Sequence, residues 1–198
     1  MKALIVGRAV GVWEEVEAAK KLGAYDSVTV IGKAGIDYPE PFDHWVSWHW
    51  NLFPHWQQQR ELKGRDLKAK LWSGMSRGNK HNPRRRQAKN STAEFVICNG
   101  GSSGLLAIFV NIHLGATKIV LTGIPMLQDR GHYDEAGPWR DAPNYHTVWQ
   151  QAAPELQGKV KSMSGWTGGV FGTPTEEWFL AATPTPTTTE GSAQGLGV

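Results

Sequence analysis

Residues 2–32 read KALIVGRAVGVWEEVEAAKKLGAYDSVTVIG. After Lys2, the next four positions form an apolar run that stops at Gly7, as a buried strand does. Val12, Val16, Ala19 and Leu22 then recur at helical spacing, and Gly23 ends the pattern. SVTVIG, at 27–32, is a second apolar, β-branched run. Strand, helix and strand in this order make a right-handed parallel crossover.

The same alternation continues outward. DHWVSWH (43–49) is a candidate third strand, and NLFPHWQQQRELKG (51–64) a helix with Asn51 as its cap and Pro54 in its first turn. LKAKLWSG and AEFVIC are strands, 102–114 a helix, and TKIVLTGIPM a strand. Residues 127–144, rich in Gly, Pro, Asp, Arg and His, read as a long loop. YHTVWQQAAPEL restarts helix, KVKSMS is a short strand, and TPTEEWFLAA is a helix opened by the capping-box pair Thr173 and Glu176. The expected fold is therefore α/β: a single Rossmann-like domain over 1–182, with a mainly parallel sheet covered by helices on both faces. The Pro/Thr-rich stretch 183–198 reads as a disordered tail.

Composition narrows the function classes. The chain has 198 residues, enough for one domain with a real core. No run of 18 apolar residues occurs, so no membrane span is expected, and the N-terminus lacks the pattern of a signal peptide. Cys98 is the only cysteine, which rules out an intramolecular disulfide and a cysteine-zinc cluster and points to the cytoplasm. Six of the 21 Lys and Arg, and none of the 18 acids, fall in 76–90, leaving the remainder slightly acidic. This stretch reads as a surface loop. Arg84, Arg85 and Arg86 make nucleic acid a candidate partner there, against a solvated face or a lid.

Parallel α/β sheets bind ligands at the carboxyl ends of their strands. That rule selects Gly7 and Arg8, Gly32 and Lys33, His49, Ser73, the run Asn99, Gly100, Gly101, Ser102, Ser103 and Gly104, and Gly123 onward. VGRAVG supplies Gly7 and Gly11 but not the third glycine of the dinucleotide fingerprint, and the second strand lacks its closing acid. A nicotinamide cofactor is disfavoured, whereas a phosphate or ribose at the helix start is allowed. NGGSSG is neither a P-loop nor a nucleophile elbow. Its two serines at a helix N-terminus suit a ligand's polar groups, or simply the helix cap. Trp45, Trp48, Trp50 and Trp56 crowd twelve residues. Trp45 and Trp56 read as core, and His49 as the strand-end residue to test.

GGSSGLLAIFVNIHLGATKIVLTGIPM (100–126) resembles a segment of the bacterial sialyltransferases with a single Rossmann-like domain. It also resembles the related motility-accessory glycosyltransferases and pterin-diphosphokinase-like proteins. In these a Ser-Gly opens a helix ending in Leu-Gly, and a strand follows that closes on Gly-Ile/Val-Asp. KSMSGWTGGVFGTPTEEW (161–178) is similar to uncharacterised phage and prophage proteins, which would place the chain in a host cytoplasm. Pro125 stands where the family has Asp, and Arg8 and Val10 replace the Asn and Pro of its first loop.

The resemblance implies transfer of a sugar from a nucleotide donor to an acceptor without a metal or further cofactor. It places a general-base histidine at His146, with His132 as second choice and Asp134 near enough to orient it. Arg8, Arg130 and Arg140 are the residues to neutralise a departing phosphate. A metal held by His132, Asp134 and His146 finds no support in their spacing. A binding protein that kept the pocket and lost the chemistry is the alternative.

Overall fold

The computed structural model describes residues 1–75, 92–98 and 100–182. Asn99, the basic stretch with Arg84, Arg85 and Arg86, and the 183–198 tail lie outside the described residues. Seven parallel strands form one sheet: β1 (Lys2–Val6), β2 (Ser27–Ile31), β3 (His44–Val46), β4 (Lys70–Met75), β5 (Glu94–Ile97), β6 (Lys118–Thr122) and β7 (Val160–Ser162). Their spatial order is β5-β4-β3-β2-β1-β6-β7. The chain winds outward from β1 to β5, then returns to lay β6 on the other side of β1. The winding direction therefore reverses between β1 and β6, the position where doubly wound sheets open a ligand crevice.

The described helices are α1 (Val12–Lys20), α2 (Ala34–Asp37), α3 (Phe53–Leu62), α4 (Ser103–His113), α5 (Ala142–Leu156), α6 (Gly165–Phe171) and α7 (Glu176–Leu180). They cover both faces. Alternate side chains of each strand point to opposite sides. Leu4, Val6, Val30, Trp45, Leu71 and Val120 pack against α1, α2, α3 and α7. Ala3, Ile5, Val46, Trp72, Ile119 and Leu121 pack against α4, α5 and α6. The α4 sequence is apolar around most of its circumference because the helix crosses the sheet and is buried from Gly104 to Ala107 and at Ile108, Val110 and Asn111. Asn111 is the polar exception, and it is satisfied: its amide donates to Thr29 Oγ1 at 2.9 Å and to the Ala107 carbonyl at 2.8 Å.

Several boundaries differ from the sequence expectation. β3 ends at Val46, because Trp48 turns out of the strand and lays its indole over Gly74. Asn51 caps nothing: it lies in a 3₁₀ turn (Trp50–Leu52) that leads into α3 without a side-chain cap. α5 begins at Ala142, inside the stretch read as loop. The last helix is capped by Thr175, whose Oγ1 accepts from Trp178 N at 3.1 Å, and not by Thr173. The helix α6, GWTGGVF, is invisible to propensity because three of its seven residues are glycine. Among the described residues no helix is long and apolar enough to cross a membrane.

Candidate functional site

A cleft of about 490 Å³ opens at the carboxyl edge of the sheet, across the β1–β6 switch. Its size suits a small organic ligand. The loops after β1, β2, β3, β5 and β6 all reach it: Gly7 and Arg8, Gly32 and Lys33, Trp48 and His49, Gly101 to Gly104, and Gly123 to Met126. The segment 130–145 closes the remaining side with Arg130, His132, Glu135, Trp139 and Tyr145. The two glycine-rich loops singled out in the sequence thus face one space.

The β1 loop offers a ligand its arginine rather than its backbone. Gly7 N–H donates to the Thr122 carbonyl at 2.7 Å, and the amides of Arg8 and Ala9 both donate to the Gly123 carbonyl. Val10 N–H donates to Gly131. A side chain at Gly7 would lie 2.2 Å from the Gly123 oxygen, so the closeness of β1 and β6 requires glycine there. Gly11 precedes α1 at φ 86°, a conformation that favours glycine, and is not part of the cleft wall. Gly123 N–H is taken by Glu15 Oε2 at 2.7 Å.

The serines of the second loop are structural as well as exposed to the cleft. Ser102 caps α4, its Oγ accepting from Leu105 N at 3.4 Å and from the Trp149 indole N–H at 3.1 Å. Ser103 Oγ accepts from Trp48 N at 3.2 Å, which fixes the end of β3 against the start of α4. Each hydroxyl keeps its own proton to donate. Gly100 and Gly101, both at φ 99°, make the turn, and Gly100 does not line the cleft. Ser73 is buried within β4, away from the cleft wall.

The charged groups concentrate at one end. Arg8 NH1 lies 3.3 Å from Asp134 Oδ2 and 3.1 Å from Glu135 Oε1. Lys33 Nζ reaches the same two oxygens, at 3.5 and 3.1 Å. Arg8 NH2 is 2.6 Å from His132 Nδ1, and Glu135 Oε2 is 3.2 Å from that same nitrogen. The group is anchored by the backbone. Ala9 and His132 form an antiparallel bridge, and Tyr133 N–H donates to the Arg8 carbonyl at 3.0 Å. Burial, with Arg8 beside it, pushes the His132 imidazole below its ordinary value. The Glu135 carboxyl is held at about 2, first by its contact with His132 and then by Lys33 and Arg8.

His132 also begins an aromatic wall. Its ring lies 5.3 Å from that of Trp139, which lies 5.8 Å from Tyr145. Trp48 and Trp56 add apolar faces elsewhere in the lining. Trp45 is wholly core, stacked on Trp56 at 6.3 Å, and Trp56 is both core and wall.

His146 lies behind the cleft. Its Nε2–H donates to the Met126 carbonyl at 2.8 Å, and its ring is stacked on Trp166. Arg140 is exposed and off the cleft wall, whereas Arg130 is on it. The carboxylate nearest the His132 ring nitrogen is Glu135 rather than Asp134. Glu135, Trp139 and Tyr145 carry no motif in the sequence. They become neighbours only because 130–145 folds back over the β1 loop. Among the described residues, no cluster of three or more His, Cys, Asp or Glu is arranged to hold a metal ion.

Fold and geometry together define an α/β doubly wound domain with a cleft at its switch point. No family model, curated protein or solved structure matches the chain.

Proposed function

We propose that this chain binds a nucleotide or nucleotide-sugar in the switch-point cleft. The observation that carries the reading is the convergence of Arg8, Lys33 and Arg130 with the ring wall of His132, Trp139 and Tyr145 on one cleft of ligand size. Cations of this kind pair with phosphate oxygens, and aromatic faces stack on a base or sugar. Metal-independent glycosyl transfer is the reaction the arrangement would serve. His132 would take the proton of an acceptor hydroxyl as the new glycosidic bond forms. The bond to the nucleotide breaks, and Arg8, Lys33 and Arg130 balance the charge left on its phosphate.

A second reading, binding without transfer, has its own support. His132 Nδ1 is engaged by Arg8, and His146 is engaged by Met126 and Trp166.

A thermal-shift and calorimetry panel of nucleoside mono- and diphosphates and their sugar conjugates tests the proposal. Ligand at 100 times its Kd stabilises the folded state by about 2.7 kcal/mol. The expected outcome is a stabilising hit that Lys33→Ala and Arg130→Ala both weaken. A flat panel, or a hit indifferent to both substitutions, removes the cleft from the explanation. Release of free nucleotide from a sugar conjugate in the presence of acceptors separates transfer from binding alone.

A further inference from the structure

We propose that Arg8 is the positioning residue that sets the tautomer of His132. It holds the ring in a form that cannot accept a proton at Nε2, until an anion in the cleft draws the guanidinium away. The proposal rests on the nucleotide-site reading above and concerns the control of that same site.

A guanidinium has donors and no acceptor. With Arg8 NH2 at 2.6 Å, His132 Nδ1 must present its lone pair. The neutral ring then carries its proton on Nε2. That nitrogen can donate but cannot take a proton, so the ring is unfit as a base on its free side. Glu135 Oε2, at 3.2 Å from the same Nδ1, is the acceptor for the opposite tautomer. One nitrogen cannot serve both neighbours. Which of them it serves decides whether Nε2 has a lone pair.

The charge around the ring favours a switch over a fixed pair. The groups facing it are Arg8, Asp134 and Glu135, with Lys33 bound to the same carboxylates and Trp139 against the ring. Two cations meet two anions, so the network is internally balanced. An entering phosphate adds negative charge and competes with Asp134 and Glu135 for Arg8. As the guanidinium turns to it, Nδ1 takes a proton from solvent and keeps it in a hydrogen bond to Glu135, while Nε2 releases its proton to solvent. The ring stays neutral, and Nε2 is left as an acceptor on a ring that lines the occupied cleft. The base is thereby armed by the ligand whose reaction it serves. The backbone bridge between Ala9 and His132 keeps the two loops in register while the side chains exchange partners.

Imidazole nitrogen NMR on the full chain tests this, with the His132 signals assigned by their loss in His132→Gln. The wild-type ring is expected as the Nε2–H tautomer. Arg8→Gln should convert most of it to Nδ1–H with no ligand present, and Arg8→Gln/Glu135→Gln should undo much of that conversion. Inorganic pyrophosphate should shift the wild-type ring the same way. A wild-type ring already in the Nδ1–H form overturns the proposal. So does an Arg8→Gln ring left unchanged, or pyrophosphate that binds by calorimetry without moving the tautomer. Pyrophosphate that fails to bind while Arg8→Gln still switches the ring overturns anion control and counts against the nucleotide reading, while leaving Arg8's hold on the ring established.

Discussion

The imidazole of His146 lies flat on the indole of Trp166, with ring centroids 4.0 Å apart and planes 2° from parallel. Its Nε2–H reaches past the stack to the carbonyl of Met126. Met126 is the one non-glycine residue with positive φ, 52°, among the described residues, and it lines the cleft. A side chain in that region is strained, and strain persists only where neighbours impose it. Here α5 supplies the histidine. α6 supplies Trp166, whose backbone N–H donates to the Pro125 carbonyl at 2.8 Å. The two helices clamp the turn that follows β6.

His146→Ala is therefore expected to cost stability. It removes one hydrogen bond, worth about 1 kcal/mol, and one stacked ring pair, worth about another 1 kcal/mol. Urea unfolding should show a loss of about 2 kcal/mol, with weaker ligand binding as the Met126 turn relaxes. An unchanged unfolding midpoint would return the ring to a role in chemistry.

Gly74 tests the far side of the cleft. A methyl group there would lie 2.4 Å from the Trp48 ring, whose indole also lines the cleft. Overpacking of this kind costs about 1–3 kcal/mol and moves the side chain that can yield. Gly74→Ala should displace Trp48 while the sheet persists. Calorimetry should then show ligand affinity falling by a larger factor than stability alone explains. Equal affinity in Gly74→Ala and wild type would mean that Trp48 does not touch the ligand.

The fold was legible because strand and helix periods alternate cleanly from Lys2 to Ile31, and because the same apolar strand type recurs at Lys118–Thr122. Short elements were less so. Trp48 belongs to an alternating pattern that ends early, since the turn is fixed by Ser103 from 55 residues away. The cleft was legible in part. Glycines after strands marked Arg8, Ser102, Ser103 and Gly123, but a strand-end rule says nothing about which amides are already spent. Glu135 and Trp139 depend on the pairing of Ala9 with His132, a contact across 123 positions that no local pattern encodes. Nearness in sequence marked Asp134 beside His132, but that Glu135 makes the ring contact follows only from the fold.

Arg60 is buried to 1% exposure, and none of the ion pairs among the described residues includes it. Its guanidinium instead donates to four carbonyls: Gly35 and Tyr38 from NH1, both at 2.8 Å, Glu40 from NH2 at 3.0 Å and Asp66 from Nε. It also lies 4.6 Å from the Phe42 ring centroid. The fork ties α2, the following loop and α3 into one unit. Lysine cannot span that geometry. Arg60→Lys and Arg60→Ala should each destabilise by about 3 kcal/mol or more, since carbonyls are left buried and unpaired. The check is equilibrium unfolding in urea. A loss under about 1 kcal/mol would mean that water replaces the fork.

Acid should destabilise the chain through His132 and Glu135. Burial lowers the His132 pKa, so the native state resists protonating a ring that the unfolded chain protonates near 6.5. Its contribution to stability is present above that value and is lost as pH falls through the lowered native one. Glu135 acts in the same direction from a lower starting point. Its carboxyl sits at about 2 in the folded chain against an ordinary 4.5, so its contribution is present above about 4.5 and fades as pH falls toward 2. The two are linked, because a protonated His132 carries an Nδ1–H that Glu135 accepts, and protonating Glu135 removes that acceptor. Stability measured from pH 7.5 to 3 should therefore fall in two overlapping stages. His132→Gln should flatten the upper stage, and Glu135→Gln the lower. The exposed side of Glu135 faces salt, so its stage should shrink in high ionic strength while the His132 stage, which burial dominates, stays. A Glu135→Gln profile that tracks wild type below pH 4.5 would mean that the carboxylate is not held by this network.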